Sequence, residues 1–299
     1  MKHYLNVKEG NNSWPRYLAS ILLAVGFMIA GSIVYFIVEL LRVELDGNDN
    51  TYIDLDTGMV VGGNGTVSLL MTHIIYIIAL VGLWIGVRFI HKRKFRTLIT
   101  GEERVNWKKV IWGFAVFTGL FLITSGADFL FNAADYTWNN VSFTQFGFLL
   151  LVVLLFVPIQ TTVEELLFRG LLLQWIGKKL KNPILLALAV GVIFGALHFA
   201  NPEMDDSAIL VGLDYLLAGF ALTFIAVKTG SLELSIGAHA ANNMMIFLLF
   251  TYDNSVAGDI PSLFRIIDTS PQFSLIWSLI IFGVFYLLCK KKYGTKPSV

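Results

Sequence analysis

Thr162-Val-Glu-Glu-Leu-Leu-Phe-Arg169 sets three formal charges near the middle of a run, Phe146 to Gly177, that is otherwise almost wholly apolar. A charge at bilayer depth costs about 2.5 to 3.5 kcal/mol on insertion scales. Charges retained at that cost are paired, face the protein interior and mark a functional path. Two later apolar segments carry isolated polar groups of their own: His198 in one, His239 and Asn243 in the other. The expectation is a single buried polar site within a membrane protein.

The whole chain agrees with that setting. Of 299 residues 56% are hydrophobic and only 14% charged, and the mean hydropathy is +0.70. A soluble domain would carry about 25% charged residues. The net charge of +1 says nothing about nucleic acid, and no basic patch is interleaved with aromatics as single-strand binders need, so no nucleic-acid partner is expected. Cys289 is the single cysteine, so neither a disulfide framework nor a cysteine metal site is available. It reads as packing at a segment end.

About 20 apolar residues cross the hydrocarbon core. Eight segments qualify: Tyr17 to Leu41, Val67 to Ile90, Val110 to Phe131, Phe146 to Gly177, Pro183 to Ala200, Ala208 to Val227, Leu232 to Phe250 and Phe273 to Cys289. The first is too long for a signal-peptide core and is read as a retained helix. Loop charge sets the orientation. Lys2, Lys8 and Arg16, the seven Lys and Arg of His91 to Lys109, Lys178, Lys179, Lys181, Lys228, and Lys290 to Lys292 with Lys296 fall on one side. The alternate loops are acidic, with Glu44, Asp46, Asp49, Asp54 and Asp56, then Glu203, Asp205 and Asp206, then Asp253, Asp259 and Asp268 against Arg265. The fold class is therefore all-α, a polytopic bundle of about eight transmembrane helices with both termini cytoplasmic. Residues 1–109 read as a two-helix membrane region with a basic loop, and 110–299 as the core, with the motifs within 146–250.

Residues four apart share a helix face, and acid before base is the better order. Glu165 and Arg169 are thus expected to pair. Glu164, about 100° around the helix, has no such partner and is the freer carboxylate, able to act as a base. Phe194 and His198, and His239 and Asn243, repeat the spacing of four. At about 1.5 Å per residue, Glu164, His198 and Asn243 come out at similar depth from their segment ends.

A carboxylate with an imidazole can deprotonate a water. A second imidazole with a carboxamide can donate to an oxyanion. Alternatively, Glu164, His198 and His239 are a ligand set for catalytic zinc, although no His-Glu-x-x-His is present. Each group also has a bland reading: a structural ion pair, an interfacial histidine, or interhelical hydrogen bonds. Among the other polar residues, Glu39, Asp128 and His73 are assigned to helix ends and interfaces. Asp214 is deeper and could line the cavity, and Asn242 faces away from Asn243's side.

At these residues the chain resembles the CPBP family, also called ABI: CAAX-type prenyl-protein endopeptidases and bacteriocin-processing or self-immunity proteins. Glu-Glu-x-x-x-Arg (Glu164, Glu165, Arg169), Phe-x-x-x-His (Phe194, His198) and His-x-x-x-Asn (His239, Asn243) follow the family's order and spacing, and Gly170 fits as well. The resemblance covers roughly Phe146 to Phe250. It implies an intramembrane endopeptidase in which Glu164 and His198 activate water, His239 and Asn243 hold the oxyanion, and Glu165, Arg169 and Phe194 support them. It favours a metal-free glutamate mechanism over zinc. The partners implied are the lipid bilayer of a cell membrane and a membrane-associated or lipid-linked peptide or protein. Two other classes compete: a non-catalytic immunity or scaffold protein of the same fold, and a small transporter. A transporter would carry inverted repeats and broken helices, and neither is read here.

Overall fold

The structure is a computed structural model that describes residues 2–55, 58–252 and 259–294. Asp56, Asp253 and Lys296, counted among the loop charges, lie outside the described residues, as does the side chain of Lys2. The helices are α1 (Lys2–Leu5), α2 (Trp14–Asp46), α3 (Gly65–Ile85), α4 (Trp107–Phe131), α5 (Phe143–Glu165), α6 (Leu173–Ile176), α7 (Pro183–Ala196), α8 (Met204–Thr229), α9 (Glu233–Leu249) and α10 (Pro271–Tyr293). A π-helical turn, Gly86–Ile90, continues α3, and a second, Leu166–Leu172, joins α5 to α6. The eight predicted segments are thus eight helices, and the chain is a polytopic helical bundle.

Six of them are long and apolar enough to cross a membrane: Trp14–Asp46, Gly65–Ile90, Trp107–Phe131, Phe143–Ile176, Met204–Thr229 and Pro271–Tyr293. α7 is a shorter apolar helix of 14 residues. α9 has 17 residues, 12 of them buried, which makes it the bundle's central post. It packs against α4, α5 and α8, while α2 lies on α3, α3 on α5, α7 on α8, and α10 on α8 and α4.

Lipid offers no hydrophobic drive between helices, so close crossings need small residues. A Cβ on Gly237 of α9 would lie 2.1 Å from the Val110 carbonyl of α4. A Cβ on Gly219 of α8 would lie 2.9 Å from the Gly191 Cα of α7. These two crossings bring the backbones of α4 and α9, and of α7 and α8, into contact around α5.

α5 starts with a capping box: Ser142 Oγ accepts from the Gln145 N–H, and Gln145 Oε1 accepts from the Ser142 N–H. Pro158 interrupts its hydrogen-bond ladder, because it has no N–H to donate. Thr161 Oγ donates back to the Val157 carbonyl at 3.1 Å. The helix then widens into the π turn directly after Glu165. Inserting a residue in this way re-aims the side chains that follow, and such turns recur at functional sites.

Several details depart from the sequence reading. α7 stops at Ala196, so His198 sits in the turn beyond it rather than within a helix reaching Ala200. α8 begins earlier than expected, at Met204, with non-helical backbone at Ser207. Short strands fill the loops: β1 (Tyr52–Ile53) pairs with β2 (Val60–Val61), and β5 (Phe264–Ile266) pairs with β3 (Tyr136–Trp138) and β4 (Phe250–Thr251). Glu39 is buried and bound to Arg42 at 2.6 Å instead of reaching the interface. His73 is fully buried, with Nδ1 donating to the Leu69 carbonyl. Asp128 receives Trp277 Nε1 at 2.7 Å. Asp214 receives Ser274 Oγ at 3.1 Å and so joins α8 to α10 rather than lining the cavity. Cys289 is a buried free thiol in the core between α4, α8, α9 and α10.

Candidate active site

The π turn and α9 meet in a buried polar cluster. Glu165 and Arg169 are both 0% exposed, and Arg169 Nη1 donates to Glu165 Oε1 at 2.9 Å. Two such charges are tolerated in an apolar interior only when each is paired and its remaining groups are satisfied. Arg169 meets that condition. Its Nε donates to Thr223 Oγ1 at 3.2 Å, its Nη2 approaches the Gly219 carbonyl at 3.4 Å, and the Phe194 ring lies 4.4 Å from its Cζ. The close α7–α8 crossing at Gly191 and Gly219 is what delivers that carbonyl. Gly170 lets the π turn lie close to Leu98, since a Cβ there would press on that side chain at 3.2 Å.

His239 comes from α9 into the gap between the two glutamates. Its Nδ1 donates to Glu165 Oε1 at 2.8 Å, and its Nε2 lies 3.7 Å from Glu164 Oε2. The Glu164 side chain keeps 13% of its surface exposed, against none for Glu165. Glu165 is thus paired through Oε1 alone, with its buried Oε2 without a hydrogen-bond partner among the described residues, while Glu164 faces the more open side.

Phe194 ties the third element to this cluster. Its ring centre is 4.4 Å from that of His198 and 6.2 Å from that of His239. His198 Nδ1 donates to the Phe194 carbonyl at 2.7 Å, which leaves Nε2 unprotonated in the neutral ring and able to accept. The spacing of four thus survives the end of α7, through a turn rather than a helix face.

Asn243 lies one turn beyond His239 on α9 and is half-buried. Asn242, read as facing away, reaches back: its Nδ2 donates to Asn243 Oδ1 at 3.1 Å. That bond uses Asn243 Oδ1 as an acceptor and leaves Nδ2 as the donor group of the carboxamide.

Four further contributors lie outside the three motifs. Tyr215 stacks on His198 with ring centres 4.3 Å apart, and its hydroxyl is bound to Glu203 and receives Asn201 Nδ2 at 3.0 Å. Thr223 holds Arg169. Tyr76 and Gln160 stand beside Glu164, with Gln160 Nε2 3.5 Å from Glu164 Oε1. Gln160 alone had a legible signal, since it precedes Glu164 by four. Among the described residues no three His, Cys, Asp or Glu side chains are grouped to hold a metal.

Residues 143–245 match the family described as type II CAAX prenyl endopeptidase Rce1-like. A curated Bacillus subtilis (strain 168) protein, "Uncharacterized protein YyaK", is 41% identical over 285 residues, spanning 95% of this chain and 94% of the relative. The chain belongs to the Rce1-like family. Every residue of the three motifs falls inside the matched stretch, which runs from the start of α5 through Asn243. The Rce1-like match leaves out α2 and α3, although Tyr4, Tyr17, Leu83 and Leu98 share one continuous core with Val163, Leu171 and Phe194. No solved structure matches the chain.

Proposed function

We propose that the protein is an intramembrane endopeptidase that hydrolyses a peptide bond in a membrane-associated or lipid-linked peptide. The carrying observation is His239 set between Glu164 and Glu165, with Arg169 neutralising the latter. In this reading Glu164 and His198 take the proton from a water, whose oxygen attacks the scissile carbonyl. The carbonyl oxygen becomes an oxyanion that accepts from Asn243 Nδ2 and from His239 Nε2. Because Nδ1 of His239 is turned to Glu165, donation from Nε2 requires the doubly protonated ring. The four charges of Glu164, Glu165, Arg169 and His239 then sum to zero. Collapse of the tetrahedral intermediate breaks the C–N bond, and the proton held by Glu164 passes to the leaving amine.

Membership of a CAAX prenyl endopeptidase family suggests a lipidated C-terminal substrate, and a bacteriocin leader, pheromone precursor or membrane regulator offers the same chemistry. The Lys and Arg distribution supports a multi-pass protein of the cell membrane with both termini cytoplasmic, residues 1–109 framing a core of 110–299. A zinc mechanism and a non-catalytic immunity or scaffold role are the competing outcomes. The test is mass spectrometry of a lipidated and leader-type peptide panel incubated with the purified protein in liposomes, in ¹⁸O water, with and without chelator. One ¹⁸O in the new carboxylate and no chelator effect support the reading. Loss with chelator and return with zinc point to a metal site. An intact panel points to the binding role.

A further inference from the structure

The chemistry assigned to Glu164 requires its carboxyl group to hold one orientation, and the torsion that sets that orientation is soft. His239 Nε2, at 3.7 Å, lies beyond hydrogen-bond distance. The remaining constraint comes from the opposite side. Gln160 is one helical turn before Glu164 on α5, and Tyr76 reaches across from α3. Gln160 Nε2 lies 3.3 Å from Tyr76 Oη and 3.5 Å from Glu164 Oε1. A carboxamide nitrogen carries two N–H groups, so one can serve each oxygen. Tyr76 Oη then accepts one N–H and leaves the other for Glu164 Oε1. The turn of α3 that carries Tyr76 is fixed against α5: His73, one turn before, is fully buried, and its ring centre is 5.7 Å from Phe156 and 6.3 Å from Tyr76.

We propose that Tyr76 and Gln160 are positioning residues that clamp the Glu164 carboxylate, so that α3, outside the matched stretch, supplies part of the active site. The inference rests on the reading of Glu164 as the base. The clamp leaves Oε2 toward His239 and holds Oε1 from the α3 side. Contacts of 3.3 and 3.5 Å are long in the resting site, and such bonds tighten when substrate is bound. The region before residue 109 would then be a working part of the enzyme.

The test uses the full-length protein in lipid nanodiscs with two variants, Tyr76→Phe and Gln160→Leu. The infrared difference between wild type and Glu164→Gln assigns the Glu164 carboxylate band. Both variants are expected to displace that band while the thermal midpoint holds. On a cleaved reporter, Gln160→Leu is expected to lower kcat about tenfold or more, the loss of one hydrogen bond to a charged group, and Tyr76→Phe to lower it less, with KM unchanged in both. A band that stays in place in both variants overturns the proposal. So does an unchanged kcat, or a kcat loss matched by an equal fall in thermal stability, which marks an ordinary interhelical contact. If the wild type cleaves no reporter, the endopeptidase reading fails separately, and the band alone decides whether Tyr76 and Gln160 hold Glu164.

Discussion

His239 donates its Nδ1 proton to Glu165 Oε1 at 2.8 Å, the same oxygen that receives Arg169 Nη1 at 2.9 Å. One carboxylate oxygen therefore orients both the imidazole and the guanidinium. The bond joins α9 to the end of α5, and it turns His239 Nε2 toward Glu164.

Arg169 is fully buried, so removing it strands Glu165. Arg169→Met is expected to destabilise the protein by about 3–5 kcal/mol. The double variant Glu165→Gln with Arg169→Met should regain part of that loss, because no charge is left unpaired. It should remain inactive, because His239 loses its charged anchor. Thermal unfolding in detergent, followed beside peptide cleavage, separates the two effects.

Asn243 keeps Nδ2 as its donor because Asn242 holds Oδ1. Asn243→Ala is expected to lower kcat by about 10²- to 10³-fold, the effect of removing one oxyanion donor, with a small change in KM. Asn242→Ala should cost less, since it frees the orientation of a donor that is still present. Steady-state kinetics on one reporter ranks the two.

Tyr215 lies under His198 as a flat platform at 4.3 Å. An aromatic pair contributes about 0.5–1.5 kcal/mol beyond its area. Tyr215→Ala is thus expected to lower kcat several-fold to about tenfold, and Tyr215→Leu to restore little of it. Tyr215→Phe keeps the stack and should lie nearer wild type, although it gives up the link to Glu203.

His91, just past the membrane end of α3, binds the N-terminal arm through the Asn11 carbonyl at 3.1 Å. Burial, then the neighbouring Arg93, pushes its pKa down to about 4 from 6.5. The folded state thus favours the neutral ring, while the unfolded chain takes up a proton near pH 6.5. Its contribution to stability is full above that pH and is lost as pH falls from 6.5 toward 4. Wild type should lose thermal midpoint across this window more steeply than His91→Gln.

The eight helices and the Glu165–Arg169 pair were legible because each follows from a local rule: length of apolar run and a spacing of four. The ring contact of Phe194 with His198 was legible for the same reason. The π turn was not, because nothing in Leu166–Leu172 marks a wider turn until its neighbours are packed. Tyr215, Thr223 and Tyr76 were not, because an ordinary tyrosine or threonine gains its role only from what lies across the helix interface. His73 was misjudged as interfacial, because position along a segment does not say which neighbour a side chain faces, and that neighbour is Phe156 of α5.

The central claim is that Glu164 is the base of a peptide hydrolysis. The most direct measurement is cleavage of a lipid-linked reporter peptide in liposomes by wild type and by Glu164→Gln, each with its thermal midpoint recorded. Wild type should cleave the peptide, and Glu164→Gln should lose about 10²- to 10⁴-fold at an unchanged midpoint. Equal cleavage by the two proteins would contradict it.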